Sequence, residues 1–143
     1  MASYAQLYLH CVWATWDRLP LITPDSEPRL YSAIASKCKE LSCSALAIGG
    51  VCDHVHVLIR FPTTITIARL IGEIKGASSH VMTHSIAPES FFKWQGSYGV
   101  FSLSKRSVPQ VRNYILNQKA HHIHHTDIAE LEQFIDPDSY NAE

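Results

Sequence analysis

Between Tyr4 and Trp16 the apolar residues Leu7, Leu9, Cys11 and Trp13 fall on alternate positions in a run rich in aromatic side chains. A period of two puts those four on one face of an extended chain, so a long first strand is expected, broken by Arg18-Leu19-Pro20. The period then changes. Leu30, Ile34, Cys38 and Leu41 recur at spacings of three and four, which predicts a helix opened by Thr23-Pro24-Asp25 and running to about Ser42. Ala45-Leu46-Ala47-Ile48-Gly49-Gly50 reads as a second strand, Gly49-Gly50 being a turn or bulge signal, and the next strand follows at once in a hairpin. Its return strand carries Asp53-His54-Val55-His56-Val57-Leu58-Ile59 and ends at Pro62.

Ile67, Leu70, Ile71, Ile74, Ala77 and Val81 predict a second helix. Gly72 and Gly76 interrupt it at a cost of about 1 kcal/mol each, which points to a backbone or ligand in close approach. Trp94 to Ser104 mixes aromatics, glycines and alternation, as a bulged strand does, and ends near Lys105-Arg106. Ser107 before Val108-Pro109 opens a third helix, Gln110 to about His125. Ile128, Leu131, Phe134 and Ile135 mark a short acidic amphipathic end. The order β-α-β-β-α-β predicts an α+β fold: a ferredoxin-like (RRM-like) antiparallel sheet with helices on one face. The third helix is surplus to that core and free to carry function.

Composition narrows the class. A chain of 143 residues, 46% hydrophobic, fits one domain spanning 1–143 that buries a core without disulfides. No apolar run approaches the roughly 18 residues of a membrane helix, and Met1 to Gln6 lacks the basic start and apolar core of a signal peptide, so a cytoplasmic protein is expected. Cys11, Cys38, Cys43 and Cys52 have no Cys-x-x-Cys spacing and lie in or beside apolar segments, as buried thiols do. The net charge is −1, yet residues 60–119 hold eight Lys/Arg against two acids, while the stretch after 119 holds six acids and no Lys/Arg. A basic middle and an acidic end fit an anion-binding surface and a solvated tail.

The chemistry begins with His54 and His56. Two residues apart on a strand, both imidazoles project from one face, a metal-ligand arrangement. On a wheel of the third helix, Tyr114, Gln118, His121, His122 and His125 share one arc beside the apolar arc of Val108, Val111, Ile115, Leu116 and Ile123. If that helix approaches the histidine strand, one small volume holds two imidazoles, an amide oxygen and a phenol. That set suits a divalent cation with vacancies for substrate oxygens, acting as a Lewis acid on a phosphoryl group while a tyrosinate attacks. His121, His122, His124 and His125 are otherwise expected as a solvated helix end, with His122 close enough to support the ligands.

His54-Val55-His56, followed downstream by Tyr114-Ile115-Leu116-Asn117-Gln118 and His121-His122, resembles the single-tyrosine HUH transposases of bacterial insertion sequences, the TnpA-like or IS200-like family. The opening strand into Arg18-Leu19-Pro20, Lys75-Gly76, Trp94-Gln95 and Tyr98-Gly99-Val100-Phe101-Ser102 extend the resemblance over nearly the whole chain. It implies that Tyr114 attacks a DNA phosphodiester, leaving a 5′-phosphotyrosine and a free 3′-hydroxyl. It further implies that His54, His56 and Gln118 hold Mg²⁺ or Mn²⁺, and that the substrate is single-stranded DNA marked by hairpins. The family implies a homodimer whose tyrosine helix can serve the partner's histidine pair. Lys75, Lys105, Arg106 and Arg112 are candidate phosphate contacts, and Trp94 or Tyr98 a base-stacking surface. Two other readings share these features: a domesticated relative acting on dispersed palindromes, and a non-catalytic module binding single strands.

Overall fold

Seven consecutive buried residues, Tyr8–Ala14, form β1, the strand about which the sheet is arranged. The computed structural model describes residues 3–134. After β1 come α1 (Glu27–Glu40), β2 (Ser44–Val51), β3 (His54–Arg60), α2 (Ile67–Val81), β4 (Gly99–Leu103), α3 (Val108–Leu116) and α4 (Gln118–Ile123). The strands lie in the order β2-β3-β1-β4, and every neighbouring pair is antiparallel. This is the expected ferredoxin-like arrangement. Among the described residues no helix is long and apolar enough to cross a membrane.

Alternation along β1 and β3 divides the interior in two. Leu9, Cys11 and Trp13 meet Val55, Val57 and Ile59 beneath Leu30, Ile34 and Cys38 of α1 and Leu70, Ile71 and Ile74 of α2. The other face is covered by α3, whose Tyr114 and Ile115 cluster with Ala47 and Leu58. A sheet covered on both sides needs apolar residues at nearly every position of its central strands. Polar groups on β3's second face are therefore desolvated, and His54 and His56 are 2% and 0% exposed.

Several local expectations change. The first helix starts later than Thr23-Pro24-Asp25: Thr23 and Ser26 exchange hydrogen bonds in a turn of their own, and Pro28 takes the first-turn position. Gly49 and Gly50 lie inside β2, as the strand reading has it, but the chain turns two residues later than their turn signal suggests, at Cys52-Asp53. What requires glycine at 49 is packing, because a Cβ there would collide with the Ile115 carbonyl of α3. Gly72 and Gly76 have nothing close to where their Cβ atoms would be, so among the described residues no backbone makes the suspected close approach on α2. Of the expected bulged strand only Gly99–Leu103 is regular, and Trp94 makes an isolated bridge to Thr15. The third helix is broken at Asn117 (φ −105°, ψ 22°) into α3 and α4. Cys11, Cys38 and Cys43 are buried as expected, whereas Cys52 is exposed. Ile135 lies outside the described residues.

Gly49→Ala should therefore push α3 off the sheet and cost about 1–3 kcal/mol, the range for overpacking a tight contact. Thermal unfolding read by circular dichroism checks this. A melting curve like that of the unsubstituted protein would mean that α3 is not pinned at Gly49.

Candidate metal and nucleophile site

β3 presents His54 and His56 on the α3 side of the sheet, with ring centroids 5.1 Å apart. Ile115 anchors α3 over Ala47 and Leu58. The preceding residue, Tyr114, is thereby turned toward the histidines, its ring edge-on to His56 at a centroid distance of 5.9 Å. The break at Asn117 starts α4 with Gln118, which is 1% exposed. Its Nε2 donates to the Tyr114 carbonyl at 3.2 Å, and its Oε1 lies 3.1 Å from His122 Nε2. The His122 ring is in turn 4.9 Å from that of His54. Gln118 is thus one side chain removed from the histidine pair, and His122 stands between, as a supporting group would. His121 lies against the Tyr114 ring at 4.8 Å, while His124 and His125 are exposed.

The residue that sequence reasoning missed is Glu132. It belongs to a 3-10 turn, Ala129–Glu132, in the stretch expected to be a solvated acidic end. Its Oε2 lies 2.8 Å from His56 Nε2 and 3.1 Å from His54 Nε2, and its Oε1 accepts a 2.5 Å hydrogen bond from the Tyr114 hydroxyl. The same phenol oxygen accepts the Ile128 amide at 2.8 Å. Leu131 packs with the Tyr114 and Ile115 cluster, and the Gln133 carbonyl fills the space that a Cβ on Gly99 would need. The only signal in the sequence was amphipathicity: an acid next to a leucine that must be buried is carried inward with it.

Behind the histidines stands a second layer. Asp53 Oδ1 accepts from His54 Nδ1 at 2.8 Å, and Arg18 Nε donates to Asp53 Oδ2 at 3.2 Å. His56 Nδ1 meets His10 Nε2 at 2.8 Å. Carboxylate backing of this kind fixes the tautomer of an imidazole that points its other nitrogen at a cation.

Charge in the site follows from these contacts. Burial opposes protonation of His54, but the flanking Asp53 and Glu132 carboxylates outweigh it and raise its pKa. Burial lowers that of His56, aided by the neighbouring His54 and His122 and opposed by Glu132. Burial also opposes the charge on Glu132, yet the close imidazole of His54 and the hydrogen bonds from His56 and Tyr114 hold its carboxyl far below the usual range. The Tyr114 phenol is pushed up to about 12 by burial and by the Glu132 carboxylate. In this arrangement the phenol is neutral and the carboxylate charged.

The donor set fits a divalent cation. His54, His56 and Glu132 each offer one atom, all within 4.8 Å of one another. His54 Nε2 is buried and close to Glu132 Oε2, yet is not aligned for a hydrogen bond with it. Cis ligands of an ion with bonds of about 2.1 Å are about 3.0 Å apart, close to the carboxylate-to-imidazole distances here.

The proposed DNA contacts fare unequally. Lys105 and Arg106 are exposed in the turn before α3, and Arg112 is exposed on α3 with its Nε 3.4 Å from the Leu46 carbonyl. Lys75 is different: its ammonium holds the Gln95 and Ser97 carbonyls at 2.5 and 3.1 Å, and burial lowers its pKa. It secures a loop, so it is not a free phosphate contact. Trp94 is a core residue whose indole donates to Ser78 at 3.0 Å, which removes it as a stacking surface. Tyr98 is half-buried against the same core.

The chain belongs to the family described as transposase IS200-like, whose sequence profile matches residues 3–118. Among solved structures it is similar to a protein assigned as a transposase from Deinococcus radiodurans R1, with 23% identity and a TM-score of 0.68 over 82% of this chain and 95% of that one. It is also similar to a REP-associated tyrosine transposase bound to a REP hairpin, with 15% identity and a TM-score of 0.64 over 85% of this chain and 74% of the other. At these identities the likeness is one of fold. No curated protein matches the sequence.

Proposed function

We propose that the protein is a metal-dependent transposase of single-stranded DNA, in which Tyr114 is the nucleophile and His54 and His56 hold Mg²⁺ or Mn²⁺. One observation carries this: the Tyr114 hydroxyl and both imidazole Nε2 atoms converge on the two oxygens of Glu132. Tyr114 attacks the phosphorus of a phosphodiester, the bond to the 3′-oxygen breaks, and the products are a 5′-phosphotyrosine and a 3′-hydroxyl. The ion, when bound, supplies Lewis-acid polarisation of the phosphoryl oxygen. His54 and His56 hold it, Glu132 is available as a third ligand, and Gln118 stands beside them, oriented by Tyr114 and His122. The protein's own contribution is position, because a phenol held next to the bound phosphate has already lost the entropy of encounter. Rejoining is the same displacement run backward, with a 3′-hydroxyl attacking the phosphotyrosine and the phenol leaving.

Hairpin-bearing DNA is the proposed substrate, in keeping with the REP hairpin held by the similar structure. That relative also supports the second reading, in which dispersed palindromes are processed by the same chemistry. Lys105, Arg106 and Arg112 are the proposed phosphate contacts. A homodimer is the proposed assembly, and the closeness of Tyr114 to the histidines of its own chain supports a site complete within one subunit.

The test is a hairpin oligonucleotide labelled at its 3′ end and incubated with protein and Mn²⁺. Label is expected to move to the protein, while a 5′ label stays on a shortened strand, and a chelator stops both. Binding that ignores the chelator, with no transfer of label, would identify a non-catalytic binding module instead.

Glu132→Gln should weaken Mn²⁺ binding about tenfold or more, since a neutral amide replaces a charged donor, as isothermal titration would show. Tighter binding by this variant would mean that the carboxylate competes with the ion.

A further inference from the structure

His10 has no part in the chemistry above, yet it is 1% exposed in the middle of the central strand. Its neighbours in sequence, Leu9 and Cys11, belong to the main core, while its own ring lies on the site side against His56, Phe101 and Tyr114. Nε2 meets His56 Nδ1 at 2.8 Å, and Nδ1 is buried with no hydrogen-bond partner among the described residues. An apolar residue would fill this place without stranding a polar atom, so packing alone does not account for an imidazole here.

We propose that His10 is a positioning residue for the ion site: through its contact with His56 Nδ1 it orients the His56 ring and sets which nitrogen faces the ion. This rests on the reading of His54 and His56 as ligands. The two are backed by different chemistry. Asp53 only accepts, so it keeps the proton of His54 on Nδ1. A neutral imidazole both donates and accepts, so the His10–His56 pair has two arrangements with the same number of protons.

In the first arrangement His10 Nε2–H donates to His56 Nδ1, and His56 Nε2–H donates to Glu132. In the second, His56 Nδ1–H donates to His10 Nε2, His10 carries its proton on the unpartnered Nδ1, and the lone pair of His56 Nε2 is free for a cation. Passing from the first to the second moves one proton from His10 Nε2 to His56 Nδ1, releases one from His56 Nε2 to solvent and takes one up from solvent at His10 Nδ1. His10 thus lets His56 serve Glu132 in the ion-free protein and the ion when it binds, with the pair's proton count unchanged.

Two variants and one spectrum test this. His10→Leu keeps the bulk and removes the contact; His10→Gln puts an amide, able to donate or accept, near the position of the ring Nε2. Mn²⁺ affinity measured by titration calorimetry should fall roughly 10- to 100-fold in His10→Leu and largely return in His10→Gln, with both variants melting cooperatively. In ¹⁵N-histidine-labelled wild-type protein, His56 should pass from the Nε2–H to the Nδ1–H form on addition of Mg²⁺. Unchanged affinity in a folded His10→Leu variant would overturn the proposal. Equal losses in both variants would do the same, because they would reduce His10 to packing. If His10→Leu does not fold, the wild-type spectrum decides, and a His56 that keeps one tautomer with and without Mg²⁺ counts against the role. Wild-type protein that binds neither ion overturns the ligand reading itself, a result distinct from any failure confined to the variants.

Discussion

Tyr114→Phe is expected to abolish the covalent protein–DNA adduct while leaving Mn²⁺ binding and the fold close to those of the unsubstituted protein. The change removes a single oxygen. The ring keeps its place between His56 and His121, and the histidine pair with its backing groups is untouched. Loss of an oxygen nucleophile lowers the rate by several orders of magnitude, as in other enzymes whose nucleophile is deleted. The structural cost is confined to two hydrogen bonds, those to Glu132 and from the Ile128 amide, at about 0.5–1.5 kcal/mol each. The melting temperature should therefore fall a little and the chemistry almost completely. Denaturing gel electrophoresis with 3′-labelled DNA reads the adduct. One that survives the substitution would remove Tyr114 as the nucleophile, and peptide mapping would show what replaced it.

Replacing either His54 or His56 by alanine should remove ion binding and strand cleavage together, and the double variant should be no worse than either single one. Residues that act as one unit are not additive. The pH dependence separates the two. In the ion-free protein the Asp53 and Glu132 carboxylates hold the pKa of His54 above its ordinary value of 6.5. An incoming ion must displace that proton, so affinity falls as pH falls, by about tenfold per pH unit while His54 is protonated. Because the pKa is raised, this slope should persist above pH 6.5 and flatten only where free His54 is neutral. The pKa of His56 is lowered, so it contributes no such slope near neutrality. Titration calorimetry with Mn²⁺ from pH 6 to 8 checks this, and an affinity indifferent to pH across that range would exclude His54 as a ligand.

How much was legible can be judged from particular residues. The second helix was predicted over the span it occupies, Ile67–Val81, because its apolar period is long; the structure adds a cap, Thr66 accepting from the Arg69 amide. Gly49-Gly50 was placed correctly in the second strand, but its turn or bulge signal marked neither, because turns and tight packing ask for the same residue and no local pattern separates the two demands. The third helix was expected to be continuous, since its apolar arc carries on past Asn117 to Ile123. It breaks at Asn117, between Tyr114 and Gln118, with no proline or glycine to mark the place. Trp94 was read as a stacking candidate because aromatic residues serve cores and nucleic-acid surfaces alike, and burial decides between them.

By itself the sequence determined the succession of elements, the shared face of His54 and His56, and the pairing of Tyr114 with Gln118. Each of these follows from a period of 2 or 3.6 that acts within one element or one helical run. The tertiary structure decided that His10 and Glu132 lie against the histidine pair. His10 reaches His56 across 46 residues of chain through the register of β1 on β3, and Glu132 reaches it across 76 through a turn held down by Leu131. Contacts at such separations depend on strand register and on the packing of one cluster against another, neither of which leaves a period in the local sequence.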